Sequence, residues 1–286
     1  MKIIFISIAV CLITAMSVAT AQHIPAYMIY SKDGNPSDFT ELLQAAKSNR
    51  LILFGELHNN PISHWLQLEL AKAMTTDSLE LKIGLEMFEA DNQILIDEYL
   101  AGLISQRSFE QEARLWSNYK TDIKPIVEFA REHNINLIAT NIPRRYASLV
   151  YREGLQAVER LSDEAKGWIA PLPVEVDLEL PGYKNMMEMA HGHEGGNLPL
   201  SQAIKDATMA HFIEQNLTGG VRLLHLHGTY HSDNYEGIVW YIRKQRPVLS
   251  ILTISTVETE DITNTETDFS KADFTIVVPS NMTKTH

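Results

Sequence analysis

Four short segments hold most of the residues able to do acid–base, metal or ligand chemistry. They are Gly55-Glu56-Leu57-His58-Asn59-Asn60, Glu86-Met87-Phe88-Glu89, Asn141-Ile142-Pro143-Arg144-Arg145 and His227-Gly228-Thr229-Tyr230-His231. Glu56 and His58 are two apart, so extended backbone turns both to one side, where they could share a ligand. The competing reading has Glu56 capping the next helix and His58 in a surface loop. Glu86 interrupts an apolar run, and a buried carboxylate needs a partner charge or a metal. Arg144 can pair with Glu56 or Glu86, or grip a ligand carboxylate with both arms of its guanidinium. His225 and His227 alternate onto one face, with His225 the deeper and read as a core histidine. His231 follows Gly228, which lets the chain turn sharply, and is the preferred ligand. As a set, Glu56, His58, Glu86 and His231 could serve a hydrolase. His58, Glu86 and His231 would hold a divalent ion that lowers the pKa of bound water, and a free glutamate would act as base.

These residues need strands to bring them together. Leu51-Ile52-Leu53-Phe54 is a continuous apolar run, as expected of a strand buried on both faces of a parallel sheet. The pattern predicts further strands at 81–87, 137–139, 223–226, 248–255 and 274–278. Helices are predicted from Pro61, near 91–103, from Asp122 and Pro125, and over 200–217, where Gly219-Gly220 stops the chain. Strands alternating with helices imply an α/β fold, a mostly parallel central sheet flanked by helices, with a helical or loop insertion at about 171–196. In such a sheet the carboxyl ends of the strands share one edge. The four segments each follow a predicted strand and therefore converge there.

With 286 residues, 45% hydrophobic and 21% charged, the chain has ordinary globular composition, which excludes collagen-like, coiled-coil and wholly disordered classes. A net charge of −12 without basic runs removes nucleic acid as a partner. Lys2, the apolar run 3–15 and Ala19-Thr20-Ala21 read as a signal peptide over residues 1–21, followed by a single domain over 22–286. The product would be periplasmic, outer-membrane-associated or extracellular. Cys11 is the only cysteine, so cleavage after Ala21 excludes disulfides and thiol chemistry. Cys11 as a lipid acceptor is the alternative, but Val10 stands before it where a small residue is expected.

Together, Gly55-x-x-His58, Glu86-Met87-Phe88 and Gly228-x-x-His231 resemble the signature of the ChaN-like haem-binding uptake proteins, relatives of the Tiki proteases and erythromycin esterases. Tyr119-x-x-Asp122-x-x-Pro125, Asn141-x-Pro143-Arg144 and Lys205-Asp206-x-x-Met209-Ala210 extend the resemblance over about 51–254. It implies an envelope or secreted haem-binding protein in iron acquisition, exchanging haem with an outer-membrane receptor. It further implies a homodimer with two haems face to face, a tyrosine on the iron and a histidine near a propionate. The insertion is the expected haem wall, with Tyr183, His191 and His193 as candidate iron ligands beside Met186, Met187 and Met189. Tyr183 is preferred because the resemblance implies a tyrosine. Arg144 and Lys184 are the expected cations for the propionates.

Overall fold

The computed structural model describes residues 25–76, 79–190, 197–263 and 266–286. The signal-peptide reading, Cys11, His191 and His193 lie outside the described residues.

The strands are β1 (Met28–Ser31), β2 (Pro36–Ser37), β3 (Leu51–Glu56), β4 (Glu80–Glu89), β5 (Asn136–Asn141), β6 (Val221–Gly228), β7 (Ile251–Thr259) and β8 (Phe274–Pro279). They form one eight-stranded sheet in the order β2-β1-β8-β7-β3-β6-β4-β5. From β8 to β5 every neighbour is parallel, and β1 pairs antiparallel with both β8 and β2. Every strand predicted from the sequence is present. The short β1 and β2 were not predicted, because such small segments carry too little alternation. β7 starts at Ile251, later than expected, because a turn closed by Leu249 N–H donating to the Arg246 carbonyl takes up the preceding residues.

Helices follow the strands: α1 (Phe39–Ser48), α2 (Pro61–Met74), α3 (Gln93–Leu100), α4 (Gln106–Glu112), α5 (Lys124–Glu132), α6 (Arg144–Glu153), α7 (Asp163–Lys166), α8 (Pro181–Ala190), α9 (Leu198–Asn216) and α10 (Ile238–Gln245). Asn60, not Glu56, caps α2: its side chain accepts from the Ile62 and Ser63 amides, and Pro61 takes the first helical position. Glu56 is thereby left for the site.

Side-chain alternation divides the core into two layers. Ile52, Phe54, Leu224 and Leu226 pack with Leu66 and Leu70 of α2 and Ile126 of α5 on one face. Leu51, Leu53 and Leu223 pack with Met209 and Ile213 of α9 and Ile238 of α10 on the other. The chain leaving β3 therefore crosses the first face, and the chain leaving neighbouring β6 crosses the second. Where adjacent parallel strands send their connections to opposite faces, a crevice opens at their carboxyl ends. Both Gly-x-x-His segments border that crevice.

The insertion differs from expectation. Its helix α8 lies on α9, with Tyr183 and Met186 buried against Ala203. Lys184 is on the exposed side, paired with Glu179.

Candidate functional site

Sheet register sets the first geometry. β3 and β6 pair in parallel with Glu56 opposite Gly228, so the two Gly-x-x-His segments leave the sheet side by side. Their glycines answer to space. A Cβ on Gly55 would stand 3.0 Å from the Thr229 Cα, and one on Gly228 would stand 2.7 Å from His58 Nε2. A side chain at Gly55 would press on the backbone of the second turn, and one at Gly228 would displace the His58 ring.

Glu56 is buried at the end of β3 and accepts from His58 Nδ1 at 2.9 Å and from Gln67 Nε2 at 2.7 Å. His58 stays 39% exposed, its ring edge-on to Trp116 at 4.9 Å between centroids. Burial alone would lower the His58 pKa, but the Glu56 hydrogen bond and the nearby charge of Glu86 outweigh it and the pKa rises. Below this pair, His64 Nε2 donates to the His58 carbonyl, and Asn118 donates to the same oxygen and to Asp122.

The second half is deeper. Glu86 in β4 accepts from the Gly228 amide at 2.8 Å and from His231 Nε2 at 3.1 Å. His231 Nδ1 donates to Asp206 of α9 at 2.5 Å, and the Tyr183 hydroxyl donates to the other Asp206 oxygen at 2.7 Å. Burial opposes a charge on His231, yet the Glu86 and Asp206 carboxylates overcome it and push its pKa up to about 10. Burial would likewise raise Glu86, but His231, His58 and the Gly228 amide hold it well below the usual carboxylate range. Asp206 is pushed up by burial, against the pull of His231 and Tyr183. Glu86 is therefore the acid held ionised beside a cationic His231.

Above these groups lies a cleft of about 680 Å³ lined by His58, Glu86, Trp116, Arg114, Arg144 and Lys205, among others. Arg114 is tied to Glu89 and Asp91. Arg144 and Lys205 make no ion pair among the described residues, so the floor is acidic and imidazole-bearing while part of the rim is freely cationic.

Glu56, His58, Glu86 and His231 thus stand around one crevice, His58 and Glu86 facing the cleft and His231 beneath it. Other expectations need correction. Arg144 pairs with neither Glu56 nor Glu86 but projects from the start of α6 onto the rim. Tyr183 is turned inward, its oxygen engaged by Asp206, and burial with the Asp206 charge raises its pKa, so it presents no phenolate to the cleft. The divalent ion expected on His58, Glu86 and His231 is unsupported. Among the described residues no group of three or more His, Cys, Asp or Glu is arranged to hold a metal. The reason is local: both Glu86 oxygens and both His231 nitrogens are already engaged.

Sequence reasoning also missed partners. Asp206 stood inside a quoted motif but was assigned no role. His64 and Gln67 lie on α2 one and two turns after the Glu56 segment, a helical spacing that sets them beneath it.

Residues 42–242 match the family described as haem-binding uptake, Tiki superfamily, ChaN. The chain belongs to that family. Among solved structures, it is similar to ChaN of Campylobacter jejuni, described by its cofacial heme binding, at 16% identity and a TM-score of 0.66, over 89% of this chain and 97% of that one. The type III effector HopBA1 shows 13% identity and a TM-score of 0.46, over 84% of this chain and 92% of that one. No curated protein matches by sequence. Membership in the ChaN family accords with the α/β sheet and makes haem the ligand class to test against the cleft.

Proposed function

We propose that this protein is exported and binds haem in the cleft at the β3–β6 crevice, serving bacterial haem and iron acquisition as a homodimer outside the cytoplasm. The residues fit such a group. The cleft lies within the roughly 300–1,000 Å³ usual for small-molecule sites, at about 680 Å³. Trp116 offers an aromatic wall, and iron would supply the coordination chemistry when haem is bound. One observation carries the reading: Arg144 and Lys205, which make no ion pair among the described residues, stand on the rim of a chain whose net charge is −12, where they can take propionate carboxylates.

Titration with hemin, followed by absorbance, tests this. Wild type should bind, and Arg144→Ala with Lys205→Ala should weaken binding about tenfold or more, from the loss of charge-assisted hydrogen bonds. An unchanged spectrum on adding hemin to wild type, or an unaffected double variant, would overturn it. Sedimentation with and without hemin tests the dimer. A mature amino terminus at Gln22 tests export, and an acylated Cys11 would replace cleavage by a lipid anchor.

A second reading, hydrolysis, rests on His58, which Glu56 orients and the cleft exposes, as a general base requires. Ester or peptide turnover abolished by His58→Ala would favour it.

A further inference from the structure

Helix α8 lies outside the cleft, where none of its described residues is part of the lining, yet it is tied to the cleft floor. Its Gly182 amide donates to Glu236 at 2.7 Å, and its Tyr183 hydroxyl donates to Asp206 at 2.7 Å. Both acceptors bear on His231. Asp206 accepts from His231 Nδ1, and His231 Nε2 donates to Glu86, which faces the cleft. Glu236 belongs to the turn that His231 opens. That turn is wound tightly on itself: Gly237 sits at φ 53°, and a Cβ there would stand 2.5 Å from the His231 carbonyl oxygen. A buried chain, Tyr183–Asp206–His231–Glu86, thus runs from α8 to the cleft.

The two ends of this connection are held unequally. Asn234 and Tyr235 both take positive φ, 60° and 59°, a region costly for a bulky side chain. Tyr235 is fixed there by its hydroxyl, which donates to Asp273 at 3.0 Å, and by Lys32 over its ring. The turn is therefore the rigid side. On the other side, α8 has a small apolar hold, Tyr183 and Met186 against Ala203 with Val176 and Leu180 at the edge. Elements with few buried apolar contacts open first.

We propose that α8 is a latch on the cleft: Tyr183 is a positioning residue for the Asp206–His231–Glu86 chain, and engagement of Glu86 in the cleft returns through that chain to tighten α8. The carrier is one imidazolium shared by two carboxylates. A group that engages Glu86 leaves the His231 cation to Asp206, whose carboxylate then accepts a stronger, charge-assisted bond from Tyr183. The coupling is reciprocal by linkage, so docking of α8 also bears on what binds at Glu86. This goes beyond the haem reading, since any cleft ligand that reaches Glu86 would act in the same way.

Amide hydrogen exchange of the full chain, read by mass spectrometry on residues 181–190 with β3 and β6 as the reference for global stability, tests the latch. Tyr183→Phe keeps the buried ring and removes only the hydroxyl, so α8 should exchange about fivefold faster while the strands do not change, as loss of one hydrogen bond predicts. Glu86→Gln keeps an acceptor for the Gly228 amide but removes the competing charge, so α8 should exchange several-fold more slowly. Combined with Tyr183→Phe, that slowing should vanish. Hemin should slow α8 in wild type and not in Tyr183→Phe, a second measurement that does not depend on the Glu86 variant folding. Unchanged α8 exchange in Tyr183→Phe, or a Glu86→Gln effect that survives without the hydroxyl, would overturn the latch. If hemin binds and α8 exchange stays the same, the latch falls while the haem reading stands. If hemin does not bind, the haem reading falls and the Tyr183 and Glu86 variants still decide the latch.

Discussion

His225 and His231 come from one strand and the turn after it, and both are buried, at 0% and 5% exposure, yet they hold opposite charge states. His231 sits between Glu86 and Asp206 and keeps its proton to about pH 10. His225 meets only the Thr140 hydroxyl, at 2.8 Å, and the ring of His227, at 3.1 Å between Nδ1 atoms. Burial, reinforced by neighbouring imidazoles, holds both inner rings neutral, His225 well below the ordinary range and His227 down to about 3. Desolvation presses on all three histidines in the same direction. The partner, not the depth, decides which of them is an imidazolium. The protein thus keeps a fixed ion pair at the crevice and a neutral, polar layer behind it. Gly84 makes room for that layer, since a Cβ there would stand 2.6 Å from the His225 ring.

The largest test breaks the charged half. Glu86→Ala should cost about 3–5 kcal/mol at pH 7 in denaturant unfolding, because it leaves a buried imidazolium facing Asp206 alone and the Gly228 amide without an acceptor. The loss should shrink at high pH. A histidine raised by its partners contributes stability fully below its ordinary pKa, and that contribution fades as pH rises through about 10. A cost under about 1 kcal/mol at pH 7 would mean that His231 is neutral and that the contrast with His225 is false.

The second test sharpens the neutral half, and its sign is opposite. Each inner ring has a depressed pKa, so its contribution is present above the ordinary value of 6.5 and is lost as pH falls toward about 3 for His227. Stability should drop by up to roughly 1.4 kcal/mol per pH unit for each ring over that window. His227→Gln should remove one ring's share of the slope, measured by chemical unfolding from pH 7 to 4. An identical slope in the variant would show that other groups set the acid limit.

The smallest effect concerns the exposed pair. Gly228→Ala places a methyl 2.7 Å from His58 Nε2, which a side-chain end can escape by rotating away from Glu56. The cost should be about 1 kcal/mol. Nuclear magnetic resonance titration should show the His58 pKa falling back toward its ordinary value, because the hydrogen bond that raises it is gone. A retained raised pKa would show that Glu86 alone sustains it.

How much of this was legible beforehand depends on the range of the interaction. Apolar runs at 51–54, 81–87, 137–139 and 223–226 are local patterns dictated by burial on both sheet faces, and they gave the parallel sheet with its chemistry gathered at one edge. Glycines 55 and 228 and the residues around them carried the family membership, because close backbone approach leaves a signature in residue type. What those residues do once gathered is decided across the chain. Asp206 lies 25 residues from His231 and Glu86 lies 145 away, so no spacing rule pairs them. Tyr183 was preferred as a haem ligand because the resemblance implies a tyrosine, but α8 packs on α9 and turns the hydroxyl inward. The charge on each histidine followed the same logic. Sequence determined which residue types reach the sheet edge, since strand periodicity is local. Only the tertiary structure decided which carboxylate meets which imidazole, because electrostatic partnership depends on a few ångströms between distant segments.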